Sequence, residues 1–112
     1  MSSSQIQRLL IDESLPVDLA NELAPLVVST VRGLGWSGLQ NGALLRQAVT
    51  AGFTVLVTAD QSLEHQQNLK MFDIAVLVLC GRNRLEDLRR LVPAIRSALP
   101  LLTPGSAMRL GA

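Results

Sequence analysis

The sequence predicts a single α/β domain, a three-layer α/β/α sandwich around a mostly parallel sheet. Three observations carry this expectation. Short β-branched or leucine-rich runs alternate with stretches of helical apolar spacing, the pattern of parallel strands joined by right-handed crossovers. Hydrophobic residues make up 48% of the chain but aromatics only 3%, so the core is aliphatic, which suits strands covered on both faces by helices. A chain of 112 residues has room for one core rather than two.

Residues 1–7 read as a tail and residues 8–112 as the domain. Arg8-Leu9-Leu10-Ile11-Asp12 is a short apolar run ending in an acid, hence a buried strand. Pro16 suits the first turn of a helix, and Leu15, Leu19, Leu23 and Leu26 recur at helical spacing until Pro25 limits the segment. Val27 to Val31 is β-branched and reads as the second strand. A glycine-punctuated loop, Gly33-Leu34-Gly35-Trp36-Ser37-Gly38, leads to a helix over 41–51, with Asn41 as N-cap and Gly52 as the C′ glycine. Phe53 to Thr58 is the third strand, and Gln61 to Leu69 a short helix or turn. Ile74 to Leu79 has the strongest strand signal. Arg84 to Ala98 is amphipathic, capped by Asn83 and kinked or divided by Pro93. Ala107 to Leu110 reads as a short edge strand.

Composition narrows the function classes. Charged residues are 17%, the net charge is +1 and the mean hydropathy is +0.33, so the chain is neither disordered in type nor strongly basic overall. No basic leader precedes a long apolar run, and none approaches the roughly 20 residues of a membrane span. The expectation is a cytoplasmic protein with no membrane partner. Its single cysteine, Cys80, ends an apolar run and reads as a small core residue. Arg82, Arg84, Arg89, Arg90 and Arg96 share one late stretch. They read either as a solvated helix face or as a patch for RNA or an acidic partner.

In sheets of this kind, ligands and catalytic groups gather beyond the carboxyl ends of the strands. Three chemistries compete there. The glycine loop is a literal G-x-G-x-x-G, and Asp60 follows Gly38 by 22 residues, close to a dinucleotide fingerprint. Only a half-domain follows, however, and the helix starts too late for its N-terminus to meet a pyrophosphate. Asp12 and Glu13 with Asp60 also suit a phosphoacceptor site, but the one lysine, Lys70, is misplaced for it. The third chemistry is a metal-dependent nuclease. Carboxylates from separate strand ends converge on Mg²⁺ or Mn²⁺, which activates water and neutralises a phosphodiester transition state.

At this point the residues resemble a family. Leu9-Leu10-Ile11-Asp12-Glu13-Ser14-Leu15-Pro16 looks like the opening of the small bacterial PIN-like domains. Gly35-Trp36-Ser37-Gly38 with Asn41-Gly42, then Val55-Leu56-Val57-Thr58-Ala59-Asp60, then Gln66-Gln67-Asn68-Leu69 continue the likeness in order, over residues 8–98. The resemblance implies a PIN-like sandwich and a Mg²⁺- or Mn²⁺-dependent ribonuclease, the toxin-type component of a toxin–antitoxin pair. It implies a small antitoxin protein and RNA as partners. It places Asp12 and Asp60 as catalytic and metal-ligating acids. Where relatives show an acid after the Asn-Gly pair, this chain has Ala43. That departure points to an impaired nuclease, or to a non-catalytic domain that binds protein or RNA. Glu13 and Glu64 are candidate substitutes for the missing ligand, although Glu13 starts on the opposite strand face. A homodimer is a further expectation from the apolar content.

Plainer roles stand beside these. Asp12 and Asp60 each suit a helix cap. Thr58, Gln67 and Asn68 are candidate substrate contacts, with strand or turn roles as the alternative. His65, the one histidine, reads as solvated. Trp36 either stacks a base or plugs the core edge.

Overall fold

The computed structural model describes residues 7–63, 68–82 and 84–111. Five strands form one all-parallel sheet: β1 (Arg8–Ile11), β2 (Val27–Thr30), β3 (Val55–Thr58), β4 (Ala75–Leu79) and β5 (Ala107–Leu110), in spatial order β2-β1-β3-β4-β5. The α-helices with described bounds are α1 (Leu19–Glu22), α2 (Asn41–Thr50), α3 (Leu85–Arg89) and α4 (Val92–Ala98).

Alternation along the strands sorts the core into two layers. Leu9, Ile11, Val55, Val57, Leu77 and Leu79 face Leu19 of α1, Leu88 of α3 and Ile95 of α4. Leu10, Leu56, Val76 and Val78 face Leu44, Leu45 and Ala48 of α2, together with Phe53 and Ile74. β3 and β4 are buried at every position, as strands covered on both faces should be. Among the described residues no helix is long and apolar enough to cross a membrane.

One helical expectation changes. Leu15, Leu19 and Leu23 are buried on one face, as their spacing predicts, yet only Leu19–Glu22 is α-helical. The flanking turns are i→i+3: Leu19 N–H bonds Pro16 O, Ala20 N–H bonds Val17 O, and Leu26 N–H bonds Leu23 O. Between prolines at 16 and 25, the chain winds tightly instead of extending an α-ladder. Pro93, the second residue of α4, has no N–H to continue the bonding from α3, so the late helix divides there. Arg90 and Leu91 close α3 with i→i+3 bonds to Asp87 and Leu88.

The end of α2 is stapled to β1. Gly52, at φ +91°, is the C′ residue, and a Cβ there would lie 2.6 Å from the Arg8 guanidinium. Its absence lets Arg8 donate to the Ala51 carbonyl at 2.9 Å, while the same guanidinium sits 4.9 Å from the centre of the Phe53 ring. Gln7, placed with the tail from sequence, donates to the Leu99 carbonyl. Residues 1–6 of that expected tail, and the Asn83 cap, lie outside the described residues.

Leu56 is fully buried on the sheet's central strand, so Leu56→Ala should lower unfolding free energy by about 2–5 kcal/mol. Val27→Thr on the exposed edge of β2 should stay within about 0.5 kcal/mol. Urea unfolding of both variants measures the contrast.

Candidate functional site

The register of β1 and β3 brings the site together. Leu9 pairs with Val55, Leu10 with Leu56 and Ile11 with Val57. One step further, at the carboxyl ends, Asp12 meets Thr58. Asp12 follows Leu10 by two positions and so shares its face, the side covered by α2.

Asp12 is buried, with 9% of its surface exposed, and an ionised carboxylate in that position needs donors. Two hydroxyls supply them: Ser14 Oγ and Thr58 Oγ1 each lie 2.8 Å from Asp12 Oδ2. Backbone amides fix where those hydroxyl protons point. Ala59 N–H donates to Ser14 Oγ at 3.1 Å, and Asp60 N–H donates to Thr58 Oγ1 at 3.0 Å. An amide can only donate, so each hydroxyl accepts there and directs its own proton at Asp12. The 3.4 Å approach of Ser14 Oγ to Thr58 Oγ1 is then two donors converging on one acceptor.

Asp12 Oδ1 takes no hydrogen bond among the described residues. No buried side-chain polar atom described lacks a partner, so this oxygen is the one in contact with solvent. The expected cap role of Asp12 is absent, since no side chain caps α1.

Asp60 is half-buried two residues past Thr58. Its Oδ1 accepts Ser62 N–H at 2.9 Å and Ser62 Oγ–H at 2.6 Å, an Asx turn closed twice. Its Oδ2 accepts Asn41 Nδ2 at 3.3 Å. Asn41, expected to cap α2, is instead its first helical residue; Gln40 occupies the cap position without a side-chain bond. The bond from the Ser62 hydroxyl leads in holding the Asp60 carboxyl below its ordinary value of 3.8; partial burial opposes it, and Ser62 N–H and Asn41 assist.

The other sequence candidates fall elsewhere. Glu13 is exposed, and its Oε2 accepts Gly38 N–H at 3.0 Å, tying β1 to the glycine loop rather than joining the two aspartates. Thr58 is fully buried, which corrects its placement against substrate: it stands behind Asp12 as a donor. Asn68 is exposed ahead of a 3₁₀ turn and gives it no side-chain cap. Gln67, Glu64 and His65 lie outside the described residues. Trp36 packs edge-on against Phe53, 6.0 Å between ring centres, as a core plug. Lys70 is exposed in that 3₁₀ turn. The glycine loop is a turn feature, with Gly33 N–H bonded to Thr30 Oγ1 and Trp36 N–H to the Val31 carbonyl; Leu39 and Gln40 separate it from α2.

Sequence reasoning missed Ser14 and Ser62. The signal was their spacing: each lies two residues after a strand-end aspartate, the reach of a side-chain-to-side-chain or Asx-type bond.

The donor set fits a weakly held divalent cation. Mg²⁺ keeps several waters and takes one or two carboxylates; Asp12 Oδ1 and the Asp60 carboxylate are the acids at this edge that would offer them. No group of three or more His, Cys, Asp or Glu poised for a metal occurs among the described residues.

Thr58→Val keeps the side chain's shape but strands the Asp60 amide, so it should destabilise by about 1–3 kcal/mol, and Thr58→Ser should restore most of it in urea unfolding. Ser62→Ala should move the Asp60 midpoint up toward 3.8 in a carbon-detected NMR titration. A lowered folded-state value stabilises the fold above the unfolded-state value and is lost as pH falls through the folded one. The variant should therefore show a shallower acid loss of stability below that point. No protein-family model, curated protein or solved structure matches the chain.

Proposed function

We propose that the chain is a PIN-like domain whose strand-end carboxylates hold Mg²⁺ or Mn²⁺ and act on the phosphodiester backbone of RNA. The observation that carries this reading is the pairing of β1 with β3. It sets Asp12, with one solvated oxygen, beside Thr58 and Asp60 at the carboxyl edge of a parallel sheet. Ser62 and Asn41 donate to Asp60 and hold its carboxyl below its ordinary value. A bound cation there supplies a polarised water and charge for the phosphoryl oxygens. The chain's own part is to fix Asp12 through Ser14 and Thr58, hold Asp60 through Ser62 and Asn41, and close one side of the site with the first turn of α2.

Ala43 favours a second reading, in which the domain holds RNA or a protein without cutting. It lies in the first turn of α2, two residues after Asn41, whose side chain reaches Asp60. An acid at this position would stand in the first turn of the helix, where the dipole favours negative charge. The family likeness carries the remaining part of the proposal, a toxin-type role with a small antitoxin protein as partner. A short reading frame for such a protein beside this gene would support it.

Calorimetric titration with Mn²⁺ decides the cation site. Wild type should bind it weakly, and Asp12→Asn and Asp60→Asn should each abolish the heat; a wild type silent at millimolar Mn²⁺ overturns the proposal. Ala43→Glu should tighten binding by about 10-fold or more, the scale on which supporting groups tune a metal site. Cleavage of labelled RNA that appears only in Ala43→Glu assigns the natural chain to the non-catalytic reading.

A further inference from the structure

The late arginines, one stretch in the sequence, do two different jobs in the fold. Arg89 pairs with Glu22 at 3.1 Å, and Arg96 donates to the carbonyls of Glu22 and Ala24 at 3.2 and 2.8 Å. These two bind α3 and α4 to the turns around α1. Arg82 and Arg84 have no such work. Both are exposed and make no side-chain hydrogen bond or ion pair among the described residues. They lie just past the carboxyl end of β4, where Gly81 at φ +97° turns the chain. On the opposite side of the site, Arg32 follows β2 and is likewise exposed and without such a bond.

The strand order converts these positions into a row. Reading along the carboxyl edge from β2 through β1 and β3 to β4 gives Arg32, Asp12, Asp60, then Arg82 and Arg84. Neighbouring strands are about 4.8 Å apart, so the row spans only three strand spacings. Acids occupy the centre and guanidiniums both ends. Glu13, the other acid on this edge, is engaged by Gly38 N–H. A divalent cation on the two aspartates would cancel the central charge and leave the guanidiniums to set the sign of the row.

We infer that this edge is a lane for the backbone of a single-stranded polynucleotide, with Arg32 on one side and Arg82 and Arg84 on the other holding the phosphates that flank the one over the carboxylates. This rests on the proposed function and names the contacts that position its substrate. Arginine suits the task, since its fork of donors matches phosphate oxygens. The modest net charge is compatible, because the lane needs three placed cations rather than a basic surface.

The test is fluorescence anisotropy of a labelled short oligouridylate across a salt series in EDTA, so that binding is read without the cation. With three phosphate contacts on a single strand, wild type should lose about 20-fold in affinity between about 50 and 200 mM salt. Arg82→Gln with Arg84→Gln should reduce that loss to about 3-fold, and Arg32→Gln should have about half that effect on the slope. Arg46→Gln, on the exposed face of α2 beside the groove lined by Met71 and Phe72, should leave the slope unchanged. All these side chains are exposed, so circular dichroism should be unaltered. Absence of binding by wild type, an unchanged slope in the lane variants, an equal loss in Arg46→Gln, or equally effective competition by an oligoglutamate of matched charge overturns the lane. A Mn²⁺ titration on the same samples keeps the two ideas apart: lost cation binding with the arginine dependence intact sinks the nuclease reading alone, and the reverse sinks the lane alone.

Discussion

The structure turns on a carboxylate that has been taken out of water at the end of a strand. Asp12 is nearly inaccessible, and its burial is tolerable only because two hydroxyls point their protons at one of its oxygens. Those hydroxyls are themselves fixed by the amides of Ala59 and Asp60. Two of these bonds, Thr58 to Asp12 and Ala59 to Ser14, therefore tie the loop after β1 to the end of β3, and the other two fix the hydroxyls within each segment. A slip of one residue between these strands would turn Asp12 to the other face and break the set, so the polar cluster and the aliphatic core specify the same register.

From this constraint the placement of the other groups follows. Because the Asp60 amide is held by Thr58, the Asp60 side chain leaves the strand end toward α2, where Asn41 meets it. Ser62 closes the turn from the other side. The two aspartates end up differently supported. Asp12 is clamped through one oxygen with the other open, and Asp60 is donated to on both. For the proposed cation this would be a workable division, with one carboxylate held rigid and open on one oxygen and the other held by donors on both.

The strands and the carboxyl-edge rule were legible because they depend on apolar runs and on topology, which the chain states directly. Even the edge strand over 107–110 could be read. The helices were harder, for reasons that lie in particular residues. Leucines at 15, 19 and 23 share a face whether the segment winds as an α-helix or in tighter turns, so spacing alone does not separate the two; the prolines at 16 and 25 do. The arginine stretch looked uniform because sequence proximity hides direction: Arg89 and Arg96 point back to α1 while Arg82 and Arg84 sit on the sheet edge. Ser14 and Ser62 carry no signal by residue type, and only their offset from an aspartate marks them.

The dinucleotide pattern shows how one string of residues serves a different physical end. Its glycines follow β2, the outermost strand, and its turn is closed by Thr30 and Val31 before two further residues lead into α2. The helix N-terminus, the feature that would attract a pyrophosphate, is thereby moved across β1 to the neighbourhood of Asp60. There it meets a carboxylate of the chain itself, so its partial positive charge supports an acid rather than a ligand phosphate. In this arrangement anionic groups of a ligand must find their cations elsewhere on the edge, and the only exposed ones described there without an internal partner are the guanidiniums beyond β2 and β4. The separation of charge along the sheet is thus a consequence of where α2 begins, and α2 begins where it does because the glycine loop is long enough to carry the chain past β1.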